Sequence, residues 1–363
     1  MTSITDTNIN VTRQLHDRGQ SLWLDNITRE LLQSGTLQRY ISELSVTGLT
    51  SNPTIFDHAI RNSGYYDAAI AEKARAGKHG EALFFELALE DLCQAADLLL
   101  PVHVDSAGVD GFVSLEVSPL LADDSAGTIV AARHLHRQAQ RTNLFIKIPG
   151  TAAGLVAIEE SVFAGVPVNV TLLFSPEHYL AAAEAYMHAI ERRLANGLDP
   201  AVACVASLFV SRWDVAIKDT VVPALRNRLG IAIGKRTYRF YRELLASPRW
   251  QKLASAGAIP QRLLWASTGT KDASVADTMY VEALVAPATI NTIPEQTLLA
   301  FADHGKVSEV MPPDGGDAEQ VLADFNRAGV DIRMLAARLQ LEGAASFTKS
   351  WQQLMDCIVE KEG

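Results

Sequence analysis

Short apolar runs alternate along the chain with longer stretches whose apolar residues recur at helical spacing. Residues 21–26, 46–51, 112–117, 143–151, 166–173, 201–210, 262–268 and 288–293 read as eight strands. Between them the spacing predicts helices. The first covers 11–20, and a second covers 27–44 with an interruption near Gly35. Another starts at Ile55, and one over 80–99 is patterned by Leu83, Phe84, Leu87, Leu89 and Leu92. Helices also fit 125–140 and 151–165. Ser175-Pro176, an N-cap followed by proline at the first helical position, opens one that runs towards Asn196-Gly197. The stretch 213–257 reads as helix in pieces around Gly230 and Gly234, and 294–304, 317–340 and 345–361 close the chain.

Eight strands separated mainly by helices, with no domain-sized linker, predict a single (β/α)8 TIM barrel with extra N- and C-terminal helices. A doubly wound sheet is the alternative that the same alternation allows. One domain is expected over 1–363. Residues 1–10 read as a loose polar tail, and the helix 345–361 as packing on the barrel.

Composition narrows the function classes. The 363 residues are 48% hydrophobic and 20% charged, a globular balance, and the net charge of −10 argues against a nucleic-acid groove. Local cationic pockets for phosphate stay possible. Cys93, Cys204 and Cys357 match no metal or redox spacing, which fits packing residues in a reduced, cytoplasmic setting. No apolar run approaches the ~20 residues of a membrane span, and the polar N-terminus lacks a signal-peptide core.

The candidate chemistry centres on Asn143-Leu-Phe-Ile-Lys-Ile-Pro-Gly-Thr151. Alternation sets Phe145 and Lys147 on one face of a buried strand, where an ammonium is costly unless paired or neutral. Taken alone, Lys147 is either a strand-end lysine reaching solvent or a desolvated amine able to attack a carbonyl. The other strand ends carry polar residues too: Asp25, Thr50-Ser51-Asn52, Glu116, Asn169 with Thr171, Ser207, Ser267-Thr268 and Asn291. In a barrel these ends meet at one mouth. Lys147 would attack a ketose carbonyl, and Asp25 and Glu116 would move the protons of dehydration and carbon–carbon cleavage. Either carboxylate could instead be a salt-bridge partner of the lysine. Asn52 and Asn169 could hold sugar hydroxyls. Ser207 with Arg212, and Ser267 with Lys271, make two cationic loops suited to a phosphate. This chemistry calls for no metal and no cofactor.

Together, Gly48-Leu-Thr-Ser-Asn-Pro-Thr-Ile-Phe56, Phe145-Ile-Lys-Ile-Pro-Gly-Thr151, Val168-Asn-Val-Thr-Leu-Leu-Phe-Ser175 and Ser207-Leu-Phe-Val-Ser-Arg212 resemble the transaldolase family, over the span from Asp25 to about His304. Ser267-Thr-Gly-Thr-Lys-Asp272 and Asn291-Thr-Ile-Pro294 look like its longer bacterial branch. The resemblance implies transfer of a dihydroxyacetone unit from sedoheptulose 7-phosphate or fructose 6-phosphate in the non-oxidative pentose phosphate pathway. Lys147 would then be the Schiff-base lysine and Asp25 the acid/base at carbon–carbon cleavage. Glu116 with Thr171 would handle the water of carbinolamine dehydration. Asn52 and Asn169 would position the ketose, with Ser207 and Arg212 towards its phosphate. Lys271 stands where many relatives carry a second arginine, so which of Ser267, Thr268, Thr270 and Lys271 touches phosphate stays open.

Other signals carry less. His134 and His136 lie two apart in a helix and do not share a face. Asp314-Gly-Gly-Asp317 reads as a turn, without the ligand alternation of a calcium loop. The competing functions are a class I aldolase releasing free dihydroxyacetone and a non-catalytic barrel that binds sugar phosphates. The expected partners are sugar phosphates, with no nucleic acid or membrane, and the state is monomer or homodimer.

Overall fold

Strands of four to six residues close on one another in chain order in the computed structural model, which describes residues 10–307 and 309–362. They are β1 (Gln20–Asp25), β2 (Val46–Thr50), β3 (Val113–Glu116), β4 (Leu144–Pro149), β5 (Val168–Leu173), β6 (Cys204–Phe209), β7 (Arg262–Ala266) and β8 (Thr289–Ile293). Every neighbour pair is parallel, and β8 returns to β1 to complete the barrel. All residues of β2 to β8 are buried. That is the pattern of parallel strands covered by helices outside and packed side chains within, and it explains why they read as apolar runs. The expected tail falls mostly on residues 1–9, outside the described ones; Asn10 caps the first helix, Val11–Asp17.

The closed end of the barrel is plugged. Phe112 and Phe145 stack with centroids 4.2 Å apart, and Trp23 lies 6.2 Å from Phe145. The Trp23 indole N–H donates to Asp110 (2.7 Å). The Arg262 guanidinium donates to Ser21 Oγ (2.6 Å) and to the carbonyls of Val109 and Thr289 (both 3.0 Å). These buried polar groups satisfy one another and leave the opposite end for chemistry.

Two expected helix breaks move. Gly230 and Gly234 lie inside one helix, Leu229–Ala246, where a Cβ would strike the Val210 carbonyl and the Leu284 side chain. They are glycines for close packing, not punctuation. Likewise the last helix does not begin at 345. It runs unbroken from Ile332 to Glu362 through Gly343, and the break falls earlier, at Gly329 (φ +86°), after the helix Ala318–Arg327. This terminal helix crosses the barrel. Trp351 packs edge-on to Phe84 (5.1 Å), and Lys361 reaches the Ser63 carbonyl (2.9 Å).

Candidate active site

Register brings the site together. Glu116 on β3 pairs with Lys147 on β4, and Lys147 with Asn169 on β5. The three side chains therefore lie at one level inside the barrel. Lys147 is 6% exposed and Glu116 7%. The Lys147 amine donates to the Ser51 carbonyl (2.8 Å) and lies 3.2 Å from Glu116 Oε2. The lysine therefore does not reach out to solvent. It sits where a carboxylate and a backbone carbonyl stand in for lost water.

The cavity above it holds about 230 Å3. Its walls come from seven strand ends and the terminal helix, and include Asp25, Asn52, Lys147, Thr171, Ser207 and Arg212. Ser267 and Lys271 complete the far side. Thr171 lines the cavity, and its buried Oγ1 has no hydrogen-bond partner among the described residues, so its donor and acceptor capacity is unspent.

Burial pushes both carboxyl groups above their ordinary ranges. For Asp25 desolvation outweighs the opposing charge of Lys147 and the bond from Thr50 Oγ1 (2.7 Å). For Glu116 desolvation outweighs the charge and hydrogen bond of Lys147. Carboxyls that hold protons more readily than usual suit proton transfer near neutrality.

Asn52 has a double duty. Its Oδ1 accepts from the Ile55 N–H (3.1 Å), capping the helix Pro53–Arg61, and its amide lies on the cavity wall. Asn169 does not line the cavity. It is fully buried at the level of Lys147, donating to Ser114 Oγ (3.1 Å) and accepting from Ser207 Oγ (2.7 Å). It thus ties β3, β5 and β6 into a fixed floor.

The far side is cationic. Arg212 opens the helix Ser211–Ile217, and Lys271 is exposed after β7. Burial lowers the Arg212 pKa, with Glu116 as the opposing charge. Ser267 sits at φ +56°, a costly conformation for a residue with a Cβ. It is pinned by the Ser211 N–H to its carbonyl (3.0 Å) and by a hydroxyl pair with Ser211 (2.9 Å).

Thr292 and Phe209 were not singled out as site candidates. Thr292 lines the cavity in place of Asn291, whose Oδ1 instead accepts from the buried Thr268 (2.9 Å). Thr292 shares a 2.7 Å hydroxyl contact with Thr50 and so continues the chain to Asp25. Phe209 and Phe347 supply apolar wall. The strand-end position that marked Thr50 could have marked Thr292 as well. Among the described residues, no three or more His, Cys, Asp or Glu are grouped to hold a metal ion, and no helix is long and apolar enough to cross a membrane.

The chain is similar to known proteins over nearly its whole length. The family model described as Transaldolase/Fructose-6-phosphate aldolase matches residues 22–358. A protein named Transaldolase from Arthrobacter sp. (strain FB24) is 44% identical over 353 residues, 95% of each chain. Another from Parafrankia sp. (strain EAN1pec) is 44% identical over 355 residues, covering 95% of this chain and 96% of that one. Transaldolase 2 of Nostoc punctiforme is 39% identical over 367 residues, 96% of each.

Proposed function

The chain belongs to the transaldolase/fructose-6-phosphate aldolase family and is a transferase of aldehyde or ketone residues, and we propose that Lys147, Asp25 and Glu116 carry the transfer. The reaction moves a dihydroxyacetone unit from sedoheptulose 7-phosphate to glyceraldehyde 3-phosphate, giving erythrose 4-phosphate and fructose 6-phosphate.

The Lys147 amine adds to the C2 carbonyl of the ketose. The carbinolamine hydroxyl leaves as water after taking a proton from Glu116, with Thr171 Oγ1 holding that water. Asp25 removes the C4 hydroxyl proton, and the C3–C4 bond breaks. Its electron pair moves into the iminium to leave an enamine on Lys147, and the aldose departs. The acceptor aldehyde then takes up the three-carbon unit by the reverse steps, and water releases the new ketose. Asn52 positions the bound ketose. Asn169 fixes the Ser207 hydroxyl on the cavity wall. Arg212, Ser267 and Lys271 meet the phosphate. The observation that carries this reading is the buried amine 3.2 Å from a carboxylate with a raised pKa, at the base of a polar cavity.

No step uses a metal or a cofactor. A cytoplasmic, reducing location suits the three free cysteines, and the enzyme works as a monomer or homodimer.

Borohydride trapping with fructose 6-phosphate, followed by intact mass and peptide mapping, tests the reading. A reduced three-carbon adduct on Lys147, absent in Lys147→Ala, is expected. Adding erythrose 4-phosphate should discharge the intermediate as sedoheptulose 7-phosphate. Release of free dihydroxyacetone at the same rate with and without that acceptor would make the enzyme an aldolase. No adduct, or one on another lysine, would overturn the mechanism.

A further inference from the structure

The terminal helix Ile332–Glu362 presents Gln340, Gly343 and Phe347 to the barrel mouth, at spacings of three and four residues that share one helical face. Gln340 Nε2 donates to the carbonyls of Gly150 (3.1 Å) and Leu172 (3.0 Å). Leu172 is itself at φ +59°, directly after Thr171. A Cβ on Gly343 would lie 3.2 Å from Arg212 Nη1 and 3.0 Å from Leu172 Cδ2, so the glycine lets the helix close on the guanidinium. Phe347 lines the cavity.

Arg212 Cζ lies over two rings, 5.1 Å from the Phe209 centroid and 5.8 Å from that of Phe347. The two rings are 6.4 Å apart and inclined at 60°. The three distances make an open triangle, with neither ring opposite the other across the guanidinium. The guanidinium therefore caps the notch between the rings and is not sandwiched by them. No side-chain hydrogen bond fixes it among the described residues, and Glu116 is its opposing charge. Its N–H edge is left for an anion, while its orientation depends on the ring faces.

We propose that Phe347 is a positioning residue for the phosphate of the substrate: with Phe209 it holds the Arg212 guanidinium over the mouth, and Gly343 provides the space. This rests on the transferase reading above. The helix is then part of the specificity apparatus for phosphorylated sugars, and the enzyme needs its docked C-terminal segment to recognise them.

The test compares wild type, Phe347→Leu, Phe347→Tyr, Arg212→Ala and the Phe347→Leu/Arg212→Ala double variant. KM and kcat are measured with fructose 6-phosphate as donor, and inhibition by inorganic phosphate alongside. A cation–π contact in a half-desolvated setting predicts that Phe347→Leu raises KM and the phosphate inhibition constant together, by roughly 3- to 10-fold, with kcat within about twofold. Phe347→Tyr, which keeps an aromatic face under the guanidinium, should restore the phosphate inhibition constant to within about twofold of the wild-type value. The double variant should be no worse than Arg212→Ala. Gly343→Ala, which crowds Nη1, should raise the same two constants if Phe347→Leu fails to fold. Unchanged phosphate inhibition in Phe347→Leu, or losses that multiply fully in the double variant, would overturn the proposal. Borohydride trapping of wild type separates this from failure of the transferase reading, since an adduct on Lys147 with unchanged phosphate constants sinks only the role of Phe347.

Discussion

Lys147 Nζ and Glu116 Oε2 lie 3.2 Å apart in the barrel interior, and each side chain is 7% exposed. Neither charge is well hydrated, so each depends on the other. Lys147→Ala should abolish activity and leave Glu116 buried without its cation. The carboxyl, already pushed up by burial, then rises further. A group with a raised folded pKa contributes stability that is lost as pH rises through that value. The gap in thermal midpoint between wild type and Lys147→Ala should therefore widen from about pH 5 to about pH 8. An equal gap at both ends would mean that the two groups do not interact.

Asp25 must be ionised to accept the C4 hydroxyl proton, and burial raises its pKa above the usual 3.8. The acid limb of kcat/KM should accordingly fall at a higher pH than an ordinary aspartate would give. Thr50 donates to Asp25 and opposes that rise. Thr50→Val removes a bond of about 1 kcal/mol and should move the limb upward by roughly 0.7 in pH. Asp25→Asn should cut kcat by about 10²- to 10⁴-fold. A pH–rate profile of the three proteins checks this, and a downward move in Thr50→Val would contradict it.

How far the fold was legible follows from which forces are local. The strands are sandwiched between helices and barrel interior, so each leaves an apolar run in the sequence. The polar strand ends stood out against those runs. Parallel register then brought Glu116 and Lys147 level. What the sequence hid depends on side-chain direction and on distant docking. Alternation alone did not say that Asn169 spends its amide on Ser114 and Ser207. Nor did it say that Thr292, one residue past Asn291, faces inward. The gap expected between helices 317–340 and 345–361 holds Gly343, and glycine is a poor helix former. The reason for Gly343 is an approach to Arg212 and Leu172, more than a hundred residues away in the chain.

Arg212 and Lys271 should differ in weight at the phosphate. Arg212 is half-buried and offers a planar fork, so its charge-assisted bonds are worth about 1.5–3 kcal/mol. Arg212→Ala should raise KM for fructose 6-phosphate roughly 10- to 100-fold. Lys271 is exposed and acts as a screened point charge, worth at most about 1 kcal/mol. Lys271→Ala should raise KM by no more than about fivefold, and the difference should fade at high ionic strength. Steady-state kinetics at low and high salt decide this. A salt-independent loss in Lys271→Ala larger than that in Arg212→Ala would reverse the assignment.

Asp214 anchors the helix that carries Arg212. Its carboxylate accepts from the N–H groups of Leu229 (2.9 Å) and Gly230 (3.1 Å) and from the Tyr280 hydroxyl (2.8 Å). Three donors favour the charged form, yet burial outweighs them and pushes the pKa up to about 6. The folded state therefore holds this proton more tightly than the unfolded chain. The stability it confers is complete below about pH 4 and drains away as pH rises to about 6, by on the order of 3 kcal/mol. Asp214→Asn removes the titration. Its thermal midpoint relative to wild type should improve on going from pH 4 to pH 7, although the amide cannot accept all three bonds and the variant starts lower. Because the same helix places Arg212, KM for the phosphorylated donor should rise in Asp214→Asn even where the protein is folded. A midpoint difference that is flat with pH would place the Asp214 titration in the ordinary carboxylate range, and would leave its three donors as the dominant influence.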